Sequence, residues 1–191
     1  MSAQFDDTIL LDGIKYSIVQ ENGELLFDTQ KYGFMPGGNC SACVRGYFAD
    51  YCLRDNRIFL DNLYIETKDG KYPDLNGKSA DSFNHDKYGI FAEIFHIYED
   101  VSLPLSFTGA LLVGSNFISD YGTYTCVQNP WAYENLAELV FENGVFVQKN
   151  DLSDIASQMR REVDALDLPC PDLSFLVYDK KSKYKGQFWW F

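Results

Sequence analysis

The chain has 191 residues, of which 46% are hydrophobic and 16% aromatic, and its formal net charge is −12. This length is sufficient to bury the core of one domain without disulfide support, and this charge would repel a nucleic-acid backbone or an acidic membrane. Because its 15 Phe and 13 Tyr residues suit the half-buried surfaces of β-sheets, we expect a mainly β (α+β) fold without nucleic-acid or membrane partners.

The N-terminal residues, MSAQFDDTILLDG, contain neither a basic start nor an apolar run of signal-peptide length. No later stretch approaches the length of a membrane span, so we expect a cytoplasmic protein. The odd number of cysteines fits free thiols in a reducing compartment. The five are Cys40, Cys43, Cys52, Cys126 and Cys170.

Three turn signals between apolar runs predict β-hairpins. Asn22-Gly23 and Asn143-Gly144 supply the positive φ angles of a tight turn, and Asp55-Asn56 separates two longer aromatic runs. Two further apolar runs, 90–98 and 105–113, have the length and composition of strands. We therefore expect an antiparallel sheet, barrel or sandwich of hairpins.

Residues 68–89 are rich in Lys, Asp, Gly, Asn and Ser and have no apolar period, which predicts a long polar loop. The loop is expected to belong to a single globular domain spanning 1–191. Four consecutive aromatic residues, 188–191, follow a basic segment near the C-terminus. They predict a strand that the sheet covers, with a partner groove or an assembly contact as the alternatives.

One amphipathic helix is predicted near 152–166. Ile155, Met159 and Val163 recur at helical spacing on one face, and Asp151 or Ser153 can cap the first turn. We expect the apolar face of this helix to pack on the sheet.

Short motifs between residues 9 and 150 resemble those of a group of uncharacterised bacterial proteins. The matching segments are Arg45-Gly46-Tyr47, which leads into a hairpin, Phe107-Thr108-Gly109, and an apolar strand closed by Asn143-Gly144. The chain departs from the group because it lacks a tryptophan near Arg45. The resemblance implies a bacterial, β-rich domain, and it assigns no catalytic residue because no activity is established for the group.

The cysteine pair in Cys40-Ser41-Ala42-Cys43 has the two-residue spacing of zinc ligands or of a redox pair. No second short-spaced pair occurs, and a predicted strand follows Cys43 where a thioredoxin-like motif would begin a helix. We therefore expect ordinary thiols and no cofactor. Metal binding by Cys40 and Cys43 is the alternative.

Arg45 lies in an apolar strand context. An inward-facing arginine needs a carboxylate, because a buried lone charge is costly, and Asp50 and Asp61 are the candidate partners. The functional alternative is an anion-recognition site on the sheet. His96 is one of only two histidines, a residue type that acid–base chemistry near neutral pH often uses.

The sequence contains no phosphate-binding glycine loop, nucleophile elbow, zinc-protease helix or EF-hand spacing, which argues against common enzyme classes. The acidic charge favours a protein-binding module, such as a bacterial immunity or inhibitor protein directed at a cationic partner. The predicted partner contacts are Trp131, Trp189 and Trp190. The alternative is an enzyme or small-ligand-binding β-barrel with a site formed by Arg45, Tyr47, His96 and Glu93.

Overall fold

The computed structural model describes residues 4–38, 40–81, 89, 94–123 and 128–165. This part of the chain contains nine strands and one α-helix. They are β1 (Thr8–Leu11), β2 (Ile14–Gly23), β3 (Tyr47–Arg54), β4 (Arg57–Ile65), β5 (His96–Tyr98), β6 (Leu103–Pro104), β7 (Gly109–Phe117), β8 (Tyr133–Glu142), β9 (Val145–Asp151) and α1 (Ser153–Asp164).

The strands form one large mixed sheet, which confirms the predicted mainly β fold class. Antiparallel pairing joins β1 to β2, β2 to β7, β7 to β8 and β8 to β9. β1 also runs parallel to β3, which pairs with β4. β4 meets β9 where Arg57 faces Val145, so the path of paired strands returns to β3. β5 and β6 pair with the remaining length of β4.

Two of the three predicted hairpins are confirmed. Asp55 and Asn56 connect β3 to β4 with φ angles of 46° and 61°. Asn143 and Gly144 connect β8 to β9 with φ angles of 47° and 77°. Both turns use the left-handed region, which matches the right-handed twist of the strands that they join.

The hairpin predicted at Asn22-Gly23 is wrong. Gly23 ends β2 and faces Gly109 across the pairing of β2 with β7, and a Cβ on Gly23 would lie 2.5 Å from a neighbouring carbonyl oxygen. The chain then leaves the sheet. The hairpin partner of β2 is β1, and their connection is Asp12-Gly13, with φ angles of 50° and 78°.

The two apolar runs form shorter or shifted strands. Of residues 90–98, 90–93 lie outside the described residues and only His96–Tyr98 forms a strand. The strand predicted over 105–113 begins at Gly109 and continues to Phe117, while the residues before it pass through the core without pairing as a strand. The apolar runs therefore predicted which residues are buried, but they did not predict which residues form strands.

The described part of the predicted polar loop, 68–81, contains no long strand or helix. Leu75 is nevertheless 1% exposed and lies in the core. The Tyr98 hydroxyl donates to the Pro73 carbonyl at 2.8 Å, which holds this section of the loop to β5. His85, the other histidine of the chain, belongs to this predicted loop and lies outside the described residues.

Two hydrophobic cores lie on opposite faces of β7 and β8. Leu111 and Leu139 belong to the main core, whereas Leu112 lies under the helix, as the alternation of side chains along a strand requires. Met159 and Val163 of α1 are buried against this second face, so the predicted amphipathic helix is confirmed. No helix in the described part of the chain is long and apolar enough to cross a membrane.

Candidate functional site

A cavity of about 380 Å³ lies between residues 4–7, strand β2 and the turn that precedes β3. Its charged lining residues are Asp6, Asp7, Glu21 and Arg45. Its apolar and aromatic lining residues are Phe5, Ile18, Val19, Val44 and Tyr47. The cavity therefore combines apolar walls with more negative than positive charge.

Hydrogen bonds fasten the N-terminal wall of the cavity to the turn before β3. The Gln4 amide donates to the Ser41 carbonyl at 2.9 Å, and its oxygen accepts the Val44 N–H at 2.9 Å. The Phe5 N–H donates to the Ala42 carbonyl at 2.8 Å. Residues far apart in sequence thus form one continuous wall.

Asp7 and Arg45 form an ion pair inside this wall. One Asp7 carboxylate oxygen accepts from the Arg45 guanidinium and also from the Ala49 N–H, the latter at 2.8 Å. Arg45 Nε donates to the Tyr47 carbonyl at 2.7 Å, and the guanidinium lies 4.4 Å from the centre of the Tyr47 ring. Burial raises the pKa of Asp7, although the charge of Arg45 acts in the opposite direction.

Two further carboxylates face the same cavity. Burial raises the pKa of Asp6, which is hydrogen-bonded to Ser17 and Tyr133, and the nearby negative charge of Asp7 adds to this effect. Burial and the charge of Asp7 also raise the pKa of Glu21, which accepts the Leu26 N–H. The ionised form of both carboxylates is therefore less favourable here than in water.

The predicted ion pair of Arg45 exists, but its predicted partners are wrong. Arg45 precedes β3 rather than lying in it, because Gly46, with φ of 82°, turns the chain between Arg45 and the first strand residue. This turn directs the guanidinium toward Asp7 instead of Asp50 or Asp61. The pairing of β1 with β3 then places Asp7 beside the turn.

Asp50 instead lies in a polar network on the outer face of the sheet. It accepts a 2.5 Å hydrogen bond from Thr8 and lies 2.9 Å from Lys15 Nζ. Asn62 also donates to it. Burial would raise the pKa of Asp50, but the hydrogen bonds from Thr8 and Lys15 outweigh burial and lower it.

The structure brings Arg45 and Tyr47 together but separates His96 from them. His96 lies in β5 beyond Ile65, the residue of β4 that pairs with Tyr47. Its ring stacks on Tyr72, and burial lowers its pKa. His96 does not line the cavity, and Glu93 lies outside the described residues.

Trp131, predicted as a partner contact, is buried and not on the surface. It is 3% exposed and belongs to the core beneath α1, where the Arg160 guanidinium donates to its carbonyl at 2.9 Å. Its indole fills space between the sheet and the helix. Trp189 and Trp190 lie outside the described residues, as does the predicted aromatic strand that contains them.

Cys40 and Cys43 flank a tight turn in which the Cys43 N–H donates to the Cys40 carbonyl at 2.9 Å. Both are free thiols, and burial raises the pKa of Cys43 to about 11. This pKa disfavours the thiolate that a zinc or redox site uses. Among the described residues, no three His, Cys, Asp or Glu side chains are grouped so that they could hold a metal ion.

Sequence patterns indicated Arg45 but not the other charged residues of the cavity. Asp6 and Asp7 follow Phe5 and directly precede an apolar strand, which is a local signal for partly buried carboxylates. Glu21 carries no such signal, because it lies beside the Asn-Gly dipeptide that suggested an exposed turn. It lines the cavity because β2 forms one of the cavity walls, which no local sequence pattern indicates.

Replacing Glu21 with glutamine is expected to raise the free energy of unfolding at pH 7.5. The folded pKa of Glu21 is above its unfolded value, so the folded state holds its proton more tightly and the charged form weakens the fold. The gain should shrink as the pH falls from 7.5 through the folded pKa toward the unfolded value, where both states are protonated. Urea unfolding at pH 7.5 and pH 4.5 measures this difference.

Asp151 provides a control of opposite sign. Hydrogen bonds from Ser153 lower its pKa below 3.8, so Asp151→Asn should reduce stability about equally at pH 7.5 and pH 4.5, and the loss should shrink only as the pH falls below 3.8 through the folded pKa. If Glu21→Gln were destabilising at pH 7.5, or its effect were the same at both pH values, the assigned electrostatic strain at Glu21 would be wrong.

No family model, no curated protein and no solved structure matches this chain. The resemblance to the bacterial group stays a prediction, and function is inferred from the net charge of the chain together with the charges and contacts of the cavity.

Proposed function

We propose that this chain is an acidic protein-binding module of the immunity or inhibitor type, which binds and neutralises a cationic partner protein. The observation that carries this proposal is the charge imbalance: 28 acidic against 16 basic side chains give a net charge of −12. A field of this sign accelerates encounter with a basic surface and disfavours acidic competitors.

The surface around the cavity supports the same proposal. Val44 lines the cavity and is 68% exposed, and it adjoins the partly exposed ion pair of Arg45. Protein interfaces combine apolar contacts at the centre with polar groups at the rim. An exposed apolar side chain beside surplus carboxylates therefore suits a partner surface that carries both alkyl stems and positive charge.

In the first step of the test, soluble proteins from the source cells are passed over the immobilised chain and the proteins that bind are collected. The purified pair is then followed by stopped-flow fluorescence at 50 and 300 mM salt. A cationic partner is expected, with an association rate constant that falls at least about tenfold over this range because salt screens steering.

Two charge-reversal variants serve as a matched pair for this measurement. Glu21→Lys should weaken binding more than Glu142→Lys, because both positions are exposed and change the net charge equally but only Glu21 lines the cavity. A partner with net negative charge, or an association rate that does not respond to salt, would contradict the proposal. Failure to retain any cationic protein would also contradict it.

A further inference from the structure

We propose that the cavity beside Arg45 receives the guanidinium or ammonium group of an arginine or lysine side chain presented by the cationic partner. This inference rests on the proposed function and names the chemical group that the module recognises. It is carried by the arrangement of charges and walls in the cavity.

The charges in the cavity are unbalanced in a specific way. Arg45 is already engaged, because it pairs with Asp7, donates to the Tyr47 carbonyl and lies over the Tyr47 ring. Asp6 and Glu21 line the same space, and Arg45 is the only cation among the lining residues that the structure describes. A second cation can therefore enter without displacing Arg45.

The energetic benefit of such a cation arises from the position of two carboxylates that line the cavity, the half-buried Asp6 and the more exposed Glu21. Burial and the negative charge of Asp7 raise the pKa of both Asp6 and Glu21, and the positive charge of Arg45 offsets only part of this effect. An entering cation would supply attraction to each of them in a site where solvent screens less than in bulk water. The same surplus of negative charge would repel an anionic ligand.

The walls of the cavity distinguish a basic side chain from a bare ion. Phe5, Ile18 and Val44 provide apolar contacts next to the carboxylates. Lys and Arg side chains match this combination because they bury an alkyl stem while their charged group seeks a polar partner. A metal ion would instead require several ligands around one point, and the described residues contain no such group.

A pair of probes that differ in charge but little in shape tests this inference. They are the N-acetyl amides of arginine and of citrulline, which replaces the guanidinium by a neutral urea. Methyl NMR of the ¹³C-labelled chain should show saturable shifts at Ile18, Val19 and Val44 with the arginine probe. The citrulline probe at equal concentration should leave these signals in place.

The variants Glu21→Gln and Asp6→Asn are each expected to weaken binding of the arginine probe by about threefold to fivefold, since a charge pair at a partly exposed site contributes up to about 1 kcal/mol. Glu142→Gln makes the same chemical change outside the cavity lining and should bind the probe as the wild type does. The methyl spectra of the free variants report whether each variant is folded. If one of the two cavity variants does not fold, the other still provides the test.

Equal shifts with both probes, or unchanged binding by both cavity variants, would overturn the inference. A captured partner that binds wild type, Glu21→Gln and Asp6→Asn equally would overturn it too, while leaving the binding-module proposal intact. Conversely, the experiments could show that the chain binds the arginine probe but no cationic protein. That result would contradict the proposed function and would also contradict the inference that a partner protein supplies the basic side chain.

Discussion

Replacing Gly144 with alanine is expected to lower the free energy of unfolding by about 3 kcal/mol. Gly144 has φ of 77°, a region that side-chain-bearing residues rarely adopt, and a Cβ there would lie 1.9 Å from the Leu105 carbonyl oxygen. The Gly144 N–H also donates to the Phe107 carbonyl at 2.8 Å, which holds the turn against the segment before β7. To accommodate an alanine, the turn would have to move away from that segment.

Gly13→Ala is the matched control for this prediction. Gly13 has a φ of 78° in the equivalent turn between β1 and β2, but nothing lies within 4 Å of the Cβ that alanine would add. The free energy of unfolding of Gly13→Ala should therefore fall only by the conformational cost of a left-handed alanine, about 1 kcal/mol. Urea unfolding followed by circular dichroism measures both losses, and equal values would show that the contact with Leu105 contributes nothing.

The two Asn-Gly dipeptides show that a turn signal in the sequence does not by itself determine which strands form a hairpin. Asn143-Gly144 and Asn22-Gly23 lie in similar apolar surroundings, yet only the first connects two strands. The difference lies in the residues on the C-terminal side of each glycine. After Gly23 the chain turns inward and buries Leu26 and Phe27, and local sequence does not reveal this because both inward burial and strand formation favour apolar residues.

The candidate site was only partly predictable for a related reason. The sequence indicated that Arg45 needed a carboxylate, and the structure supplies one, but Asp7 lies 38 residues away. Asp50 was the nearer choice in sequence. It faces outward on β3, while the parallel pairing of β1 with β3 brings Asp7 to the turn before the strand. Parallel pairing leaves no hairpin signal, so nothing local marks this contact.

Asp7→Ala is expected to lower the free energy of unfolding by about 2–4 kcal/mol. The Asp7 side chain is 11% exposed and accepts from both Arg45 and the Ala49 N–H, so its removal leaves two donors without their acceptor. Arg45 is 44% exposed and can regain water, which keeps the loss below that of a fully buried pair. Asp7→Asn should lose less stability, because an amide oxygen can still accept from Ala49 and because the burial that raises the pKa of Asp7 disfavours a carboxylate more than an amide.

The ion pair between Arg54 and Asp61 is the control, because it has the same atoms in contact and the same arginine exposure of 44%. Asp61 is more exposed than Asp7, at 29%, so water can replace more of its contact with Arg54 and Asp61→Ala should cost less than about 1 kcal/mol. Urea unfolding at pH 7.5 compares the two variants. A loss for Asp7→Ala no larger than for Asp61→Ala would mean that the hydrogen bonds of Gln4, of Phe5 and of the Asp7 backbone are sufficient to hold the N-terminal wall. The acidic cavity would then not depend on its internal ion pair for its shape.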